Sequence, residues 1–136
     1  MTNNDTKPRV WPGLQYDDAR TALTTLTEVF GFTETLVVPG ENDLVAHAEL
    51  RWPDGGGVML GSVKASSGAH EGQRSGGSSV YVNTDAPSTV DAVYERCRAA
   101  GLRIVQELTD TDYGSHGFTV ADQEGNSWTF GTYAGA

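Results

Sequence analysis

One cysteine, Cys97, is all the thiol chemistry this 136-residue chain contains. A single Cys excludes an internal disulfide and gives no sign of an oxidising compartment. Its setting in "DAVYERCRAAG", where Val90, Val93, Cys97 and Ala100 share one helical stripe, predicts a buried, inert thiol. Basic residues are also scarce. Nine Lys and Arg stand against 18 Asp and Glu, a formal charge of -9, with a pI of about 4.5. That sign repels phosphate backbones and anionic lipid, so neither nucleic acid nor a membrane surface is the expected partner. A cationic or neutral small molecule fits better. No stretch approaches the roughly 20 apolar residues that span a bilayer. The N-terminal "MTNNDTKPR" lacks the apolar run and cleavage-like site of a signal peptide. The expectation is a cytoplasmic protein of one domain, large enough to bury a core without disulfides or a structural metal.

What the chain does have is order that occurs twice. After a polar tail over residues 1–9, "VWPGLQY" (10–16) reads as a strand, with Val10, Leu14 and Tyr16 on one face and Trp11, Gly13 and Gln15 on the other. "DDARTALTTLTEVFGF" then switches to a helical period: Ala19, Ala22, Leu23, Leu26, Val29 and Phe30 form the stripe, an Asp caps it and Gly31 ends it. Three strand-like runs, "TETLVV", "DLVAHAELRW" and "GVMLGSV", are separated by the turn sequences "PGEN" and "PDGG". A Gly/Ser-rich stretch over 64–78 reads as a flexible connector or lid, with a solvated His70. Strand, helix and three strands then follow again: "SVYVNT", "PSTVDAVYERCRAAG", "RIVQEL", "GFTVAD" and "SWTFGTY". A shift of 70 residues carries Gly31 to Gly101, Gly55 to Gly125 and "VMLG" onto "WTFG". The simplest account is an α+β fold of two βαβββ units, 10–63 and 79–136, with about eight strands and two main helices. Their curved mixed sheets each have a helix-covered face and an open face, and pairing within a chain or across a dimer would enclose a cavity.

The stretch "LVAHAELRW" (44–52) poses the chemical question. His47 and Glu49 stand in the order that opens a zinc-deaminase signature, but that chemistry needs a P-C-x-x-C run to complete the zinc shell, and there is only Cys97. On a strand, Ala46, Ala48 and Leu50 alternate with His47, Glu49 and Arg51. The small apolar set suits the helix side, which leaves the polar set on the open face. It reads either as a proton-transfer or ligand-orienting cluster, or as a self-satisfied His-Glu-Arg ladder on a wet sheet. Two ligands on one strand, with no third, do not make a metal site. His116 shares parity with Phe118 and Val120, which marks a strand start and a structural or rim role. Tyr113, just before it in "DTDYGS", either walls a pocket and hydrogen-bonds a ligand or ends the preceding strand.

The stretches "GLQYDDARTALTTLTEVFGF", "VAHAELRWPDGGGVMLGS" and "DTDYGSHGFTVADQEGNSWTFGTY" resemble the vicinal oxygen chelate superfamily of glyoxalases, bleomycin-resistance proteins and extradiol dioxygenases. The last is similar to the "D-P-E-G-N-x-W-x-F-G-T-Y" ending of a bacterial glyoxalase-like subgroup, with Gln123 in place of Pro. The resemblance implies a homodimer and a divalent ion held by the first and last strands of each unit. Counting back from the helix-capping Asp of each unit gives Trp11 and, displaced by the "TDAPS" insertion, Ser79; the shift of 70 gives Tyr81 instead. Counting forward from the Gly-rich turns gives Met59 and Thr129. Trp, a thioether and neutral hydroxyls are poor ligands for a hard or borderline cation, so no metal or other cofactor is expected. The open side then carries Trp11, Gln15, His47, Glu49, Met59, Tyr81 and Thr129, a mostly apolar set with a few polar groups, as in a small-molecule pocket. Trp11 and Tyr81 would flank a flat ligand, or the aromatics fill the space themselves or pack in a dimer interface. The leading expectation is a metal-free binder of an aromatic or cationic molecule, of sequestration or resistance type. The alternative is a glyoxalase-like lyase, isomerase or dioxygenase, with a displaced ion or with metal-free acid-base chemistry in which Glu49 is the base and His47 the acid or orienter.

Overall fold

The computed structural model describes residues 7–65 and 70–136. The first six residues of the expected tail, and 66–69 of the expected connector, lie outside the described residues. The chain divides into two compact units, Met1–Gly76 and Gly77–Ala136, each a βαβββ unit. The first comprises β1 (Gly13–Tyr16), α1 (Ala19–Thr24, continued by a π-helical stretch Thr25–Phe30), β2 (Thr33–Pro39), β3 (Val45–Arg51) and β4 (Gly57–Ser62). The second comprises β5 (Ser79–Asn83), α2 (Pro87–Ala99), β6 (Arg103–Asp110), β7 (His116–Ala121) and β8 (Ser127–Gly131). The sheets have the same mixed topology, β1-β4-β3-β2 and β5-β8-β7-β6, each with one parallel and two antiparallel pairings.

Local chemistry explains the boundaries. Asp18 caps α1 by accepting from the Thr21 N–H (3.1 Å) and the Thr21 hydroxyl (2.7 Å). Those two bonds hold its carboxyl below the usual value. The Gly pairs of the repeat sit where the backbone turns left-handed: φ is 96° at Gly31 and 75° at Gly101, 120° at Gly55 and 91° at Gly125. Edge strands β2 and β6 each carry an extra residue at the same place: Thr35 and Val105 are skipped in the pairing with β3 and β7. They stand one shift of 70 apart. The shift between helix starts, Ala19 and Pro87, is 68, so the two additional residues of the second unit lie between its helix start and Gly101 rather than in "TDAPS".

The core of each unit lies between its helix and one sheet face. Leu14, Tyr16, Ala48, Leu50, Val58 and Leu60 are buried with Ala22, Leu23, Leu26 and Phe30 of α1. In the second unit Val90, Val93, Tyr94 and Cys97 of α2 are buried with Phe118, Val120, Trp128 and Phe130. Tyr94 stands edge-on to Phe118 at 5.1 Å, and Phe118 stacks on Phe130 at 5.6 Å. Burial pushes the Cys97 thiol up to about 12, which suppresses the reactive thiolate.

Four sequence readings are corrected. Val10 is 84 % exposed, because β1 begins at Gly13 and the proline-containing segment before it is not paired in the regular way. Ala100 is exposed at the C-cap of α2, and Tyr94 takes its place in the stripe. The second helix is capped at Ala86, followed by Pro87, and not by an Asp. Ala46 faces outward. It is the extra residue of a bulge between Val38↔His47 and Pro39↔Val45, and the bulge buries Val45 instead.

His116 opens β7 and bonds two carboxylates, Asp91 on α2 through Nε2 (2.7 Å) and Asp110 on β6 through Nδ1 (2.8 Å). Two acceptors require both ring nitrogens to carry hydrogen, which only the imidazolium provides. Bonding first to Asp91 and then to Asp110 holds the His116 pKa above its ordinary value. A raised folded-state pKa contributes stability that is complete below about pH 6.5 and fades as pH rises through the folded value. Both partners are exposed, so the expected contribution is about 1 kcal/mol. Urea denaturation across pH 5.5–8.5 should show stability declining with pH in the native chain and a flatter profile in His116→Gln.

Candidate active site and pocket

Each unit has a pocket lined by residues of its open face. In the first unit a pocket of about 270 Å³ is lined by Trp11, Gln15, Ala46, His47, Met59 and His70, among others. Three strands supply its polar and apolar groups at matched register: Gly13 of β1 lies beside Met59 of β4, and Met59 lies opposite Glu49 of β3. The Met59 N–H donates to the Pro12 carbonyl at 2.9 Å, which ties the segment before β1 to β4. Trp11 is thereby laid across Gly57, where a Cβ would come within 2.7 Å of the indole ring. The indole N–H is used locally, donating to the Pro8 carbonyl at 3.0 Å, so the ring offers its face and edge, not its donor.

His47 and Glu49 are bonded to each other, Nε2 to Oε2 at 2.8 Å, with side chains 39 % and 29 % exposed. The cross-strand neighbours on β2 are Val38 opposite His47 and Leu36 opposite Glu49, both apolar. Glu49 does not line the pocket itself; it stands behind His47. His70, expected to be solvated with a ligand role as the lesser alternative, is exposed and also lines the pocket. Ala46 is the residue that sequence reasoning missed, and His70 the one that it ranked too low. The bulge that turns Ala46 outward depends on strand pairing, and the short turn that brings His70 near follows residues with no periodic pattern.

In the second unit a pocket of about 110 Å³ is lined by Tyr81, Gln106, Tyr113, Thr119, Thr129 and Tyr133 with neighbouring hydroxyl residues. Its polar groups largely bond one another. The Tyr81 hydroxyl donates to the Tyr133 carbonyl at 2.6 Å, Thr119 and Thr129 share a 2.7 Å hydroxyl bond, and Tyr113 meets Tyr133 edge-on at 5.6 Å. Desolvation raises the Tyr81 pKa above its ordinary value, and a hydrogen bond with Ser115 opposes this only in part. Ser79 lines neither pocket; it pairs with Ser127 at the other end of β5. The expected ligand-binding set thus separates into Trp11, Gln15, His47 and Met59 in one unit and Tyr81, Tyr113 and Thr129 in the other.

The positions that the resemblance assigns to a divalent ion do not fit one. Beside Met59 the first strand offers Gly13, which has no side-chain donor, and Trp11 has no lone pair to give. Beside Thr129 it offers Tyr81, and both hydroxyls are already hydrogen-bonded within the protein. Among the described residues no group of three or more His, Cys, Asp or Glu is placed to hold a metal.

Two mixed four-stranded sheets, each backed by one helix and built on a repeat, define a glyoxalase-like class of protein. The chain belongs to the glyoxalase/bleomycin resistance protein/dioxygenase superfamily, whose family model matches residues 10–130. An uncharacterized protein of Mycobacterium bovis is 32% identical over 128 residues, 92% of this chain and 83% of that protein. The crystal structure of TioX from Micromonospora sp. ML1 is similar at a TM-score of 0.76 and 30% identity, covering 92% of this chain and 98% of the other. Lactoylglutathione lyase from Agrobacterium tumefaciens shares the fold at a TM-score of 0.67 and 23% identity, over 92% and 94% of the two chains. Among the described residues no helix is long and apolar enough to cross a membrane.

Proposed function

We propose that the chain is a small-molecule binder that holds a planar aromatic ligand in the pocket of its first unit without a metal ion. One observation carries the reading: Trp11, Gln15, His47 and Met59, from separate strands and the segment before β1, converge on one pocket of about 270 Å³. An indole face and a thioether give a flat, deformable apolar wall, while an amide and an imidazole supply a few directional bonds. The expected cationic alternative is less favoured, because Glu49 is bonded to His47 and stands behind the lining. The donor sets at the metal positions favour a metal-free site for the reason given above. A glyoxalase-like catalyst using acid-base chemistry is the second reading, supported by the His47–Glu49 bond.

Titration of the protein with a panel of planar aromatic compounds should quench tryptophan fluorescence, with affinity unchanged by a chelator. Trp11→Ala should weaken that affinity about tenfold, equivalent to about 1.4 kcal/mol of lost ring contact. Binding that a chelator abolishes, or that Trp11→Ala leaves intact, would contradict the proposal.

A further inference from the structure

We propose that His47 is the pocket's proton acceptor, positioned for that role by Glu49, and that the favoured ligand is an aromatic compound with a phenol-like O–H that binds as its anion. The inference rests on the reading of the first-unit pocket as a ligand site and names the class of ligand it takes.

The argument begins with the protons. A carboxylate can only accept, so the 2.8 Å bond between Glu49 Oε2 and His47 Nε2 places a hydrogen on Nε2. The neutral imidazole then has its lone pair on Nδ1. Among the described residues the His47 side chain makes no hydrogen bond other than the one to Glu49, and His47 lines the pocket. The hydrogen bond that a histidine makes through one nitrogen fixes which nitrogen is basic, and here it leaves Nδ1 as the acceptor of a residue that lines the pocket.

The surroundings narrow the ligand. Val38 stands opposite His47, and Leu36 and Met59 stand opposite Glu49, so the cross-strand places given to the dyad are apolar. Among the described residues, the only other titratable side chain lining the pocket is His70, and no Lys, Arg, Asp or Glu lines it. Arg51 follows two residues along the same strand and borders a separate surface pocket with Thr33 and Thr35. A carboxylic acid arrives without a proton to give, and an aliphatic amine does not use the indole and thioether walls. A flat ring with a weakly acidic hydroxyl matches both features. On binding, the ligand O–H bond breaks, its electron pair stays on oxygen, and the proton forms the Nδ1–H bond. The resulting imidazolium donates to two anions, the ligand oxygen through Nδ1 and Glu49 through Nε2. Glu49 touches no ligand and acts as a positioning residue. The assignment reverses the sequence-based one, in which Glu49 was the base.

The test uses the full-length protein with 4-nitrophenol and its methyl ether, 4-nitroanisole. Tryptophan quenching reads binding, and the visible absorbance of the nitrophenolate reads ionisation of the bound molecule. The phenol should bind about tenfold more tightly than the ether, and its bound form should titrate about one unit or more below the free compound. His47→Gln should bind the two equally and return the titration to the free value. In Glu49→Gln the imidazolium loses its carboxylate partner and is less favoured, so the titration should move back part of the way toward the free value while His47 is still present. A bound nitrophenol that stays neutral, or an anion fraction unchanged in His47→Gln, overturns the proton-acceptor role and leaves the binding reading intact. Failure of both compounds to quench overturns the binding reading and this inference with it.

Discussion

Asp122→Ala should lower the unfolding free energy by about 3–4 kcal/mol, the largest single-residue effect expected outside the hydrophobic core. Asp122 lies in the turn between β7 and β8 and is 6 % exposed. Its Oδ1 accepts from the backbone N–H groups of Glu124 (2.9 Å) and Asn126 (3.0 Å). Its Oδ2 accepts from the Asn126 amide and from the Trp128 indole N–H, each at 3.1 Å. Asn126 in turn accepts from the Ser78 N–H at 3.0 Å, joining the turn to the start of β5. Hydrogen bonds to a charged acceptor are each stronger than neutral ones, and removing the acceptor strands its donors in a buried place. Trp128→Phe removes one donor and keeps most of the ring, so it should cost less, about 1–2 kcal/mol. Urea unfolding of both variants checks the order; a Trp128→Phe loss equal to or above that of Asp122→Ala would contradict it.

Gly57→Ala should cost about 1–3 kcal/mol and also displace Trp11 from the pocket. A Cβ at position 57 would stand 2.5 Å from the Leu50 carbonyl oxygen and 2.7 Å from the Trp11 ring. The carbonyl belongs to β3 beside its β4 partner and cannot retreat without breaking the ladder, so the indole is the group that yields. Loss of the ring should appear as altered tryptophan emission and as weaker ligand binding of the same size as in Trp11→Ala. Gly13→Ala is the control. Nothing lies within 4 Å of its would-be Cβ, so its stability should change by no more than about 0.5 kcal/mol. Crystallography or emission spectra showing Trp11 undisturbed in Gly57→Ala would refute the packing account.

The two βαβββ units were legible because their signals are local: hydrophobic period, capping residues and turn glycines that recur at a fixed spacing. The alternation along "AHAELR" also placed His47 and Glu49 together on the face away from α1. Alternation failed at Ala46, since an extra residue in a strand reverses the count and only the partner strand reveals it. The His116 clamp was illegible for a different reason. Its partners lie 25 and 6 residues away, on a helix and an edge strand, and no local pattern links them. The most recognisable stretch, "DQEGNSW", turns out to hold a structural turn: its Asp, Asn and Trp bond one another and leave the open face to other residues. Nothing in the spelling of a motif separates the residues that brace a fold from those that meet a ligand.

The outward turn at Ala46 has a practical consequence for the volume of the first-unit pocket. Elsewhere along β3 a larger apolar side chain would either overfill the space under α1 or disturb the dyad. At 46 the methyl group faces the hollow, so each added carbon would subtract room for a guest and leave the interior untouched. A single codon therefore sets the size of this hollow while the architecture stays the same.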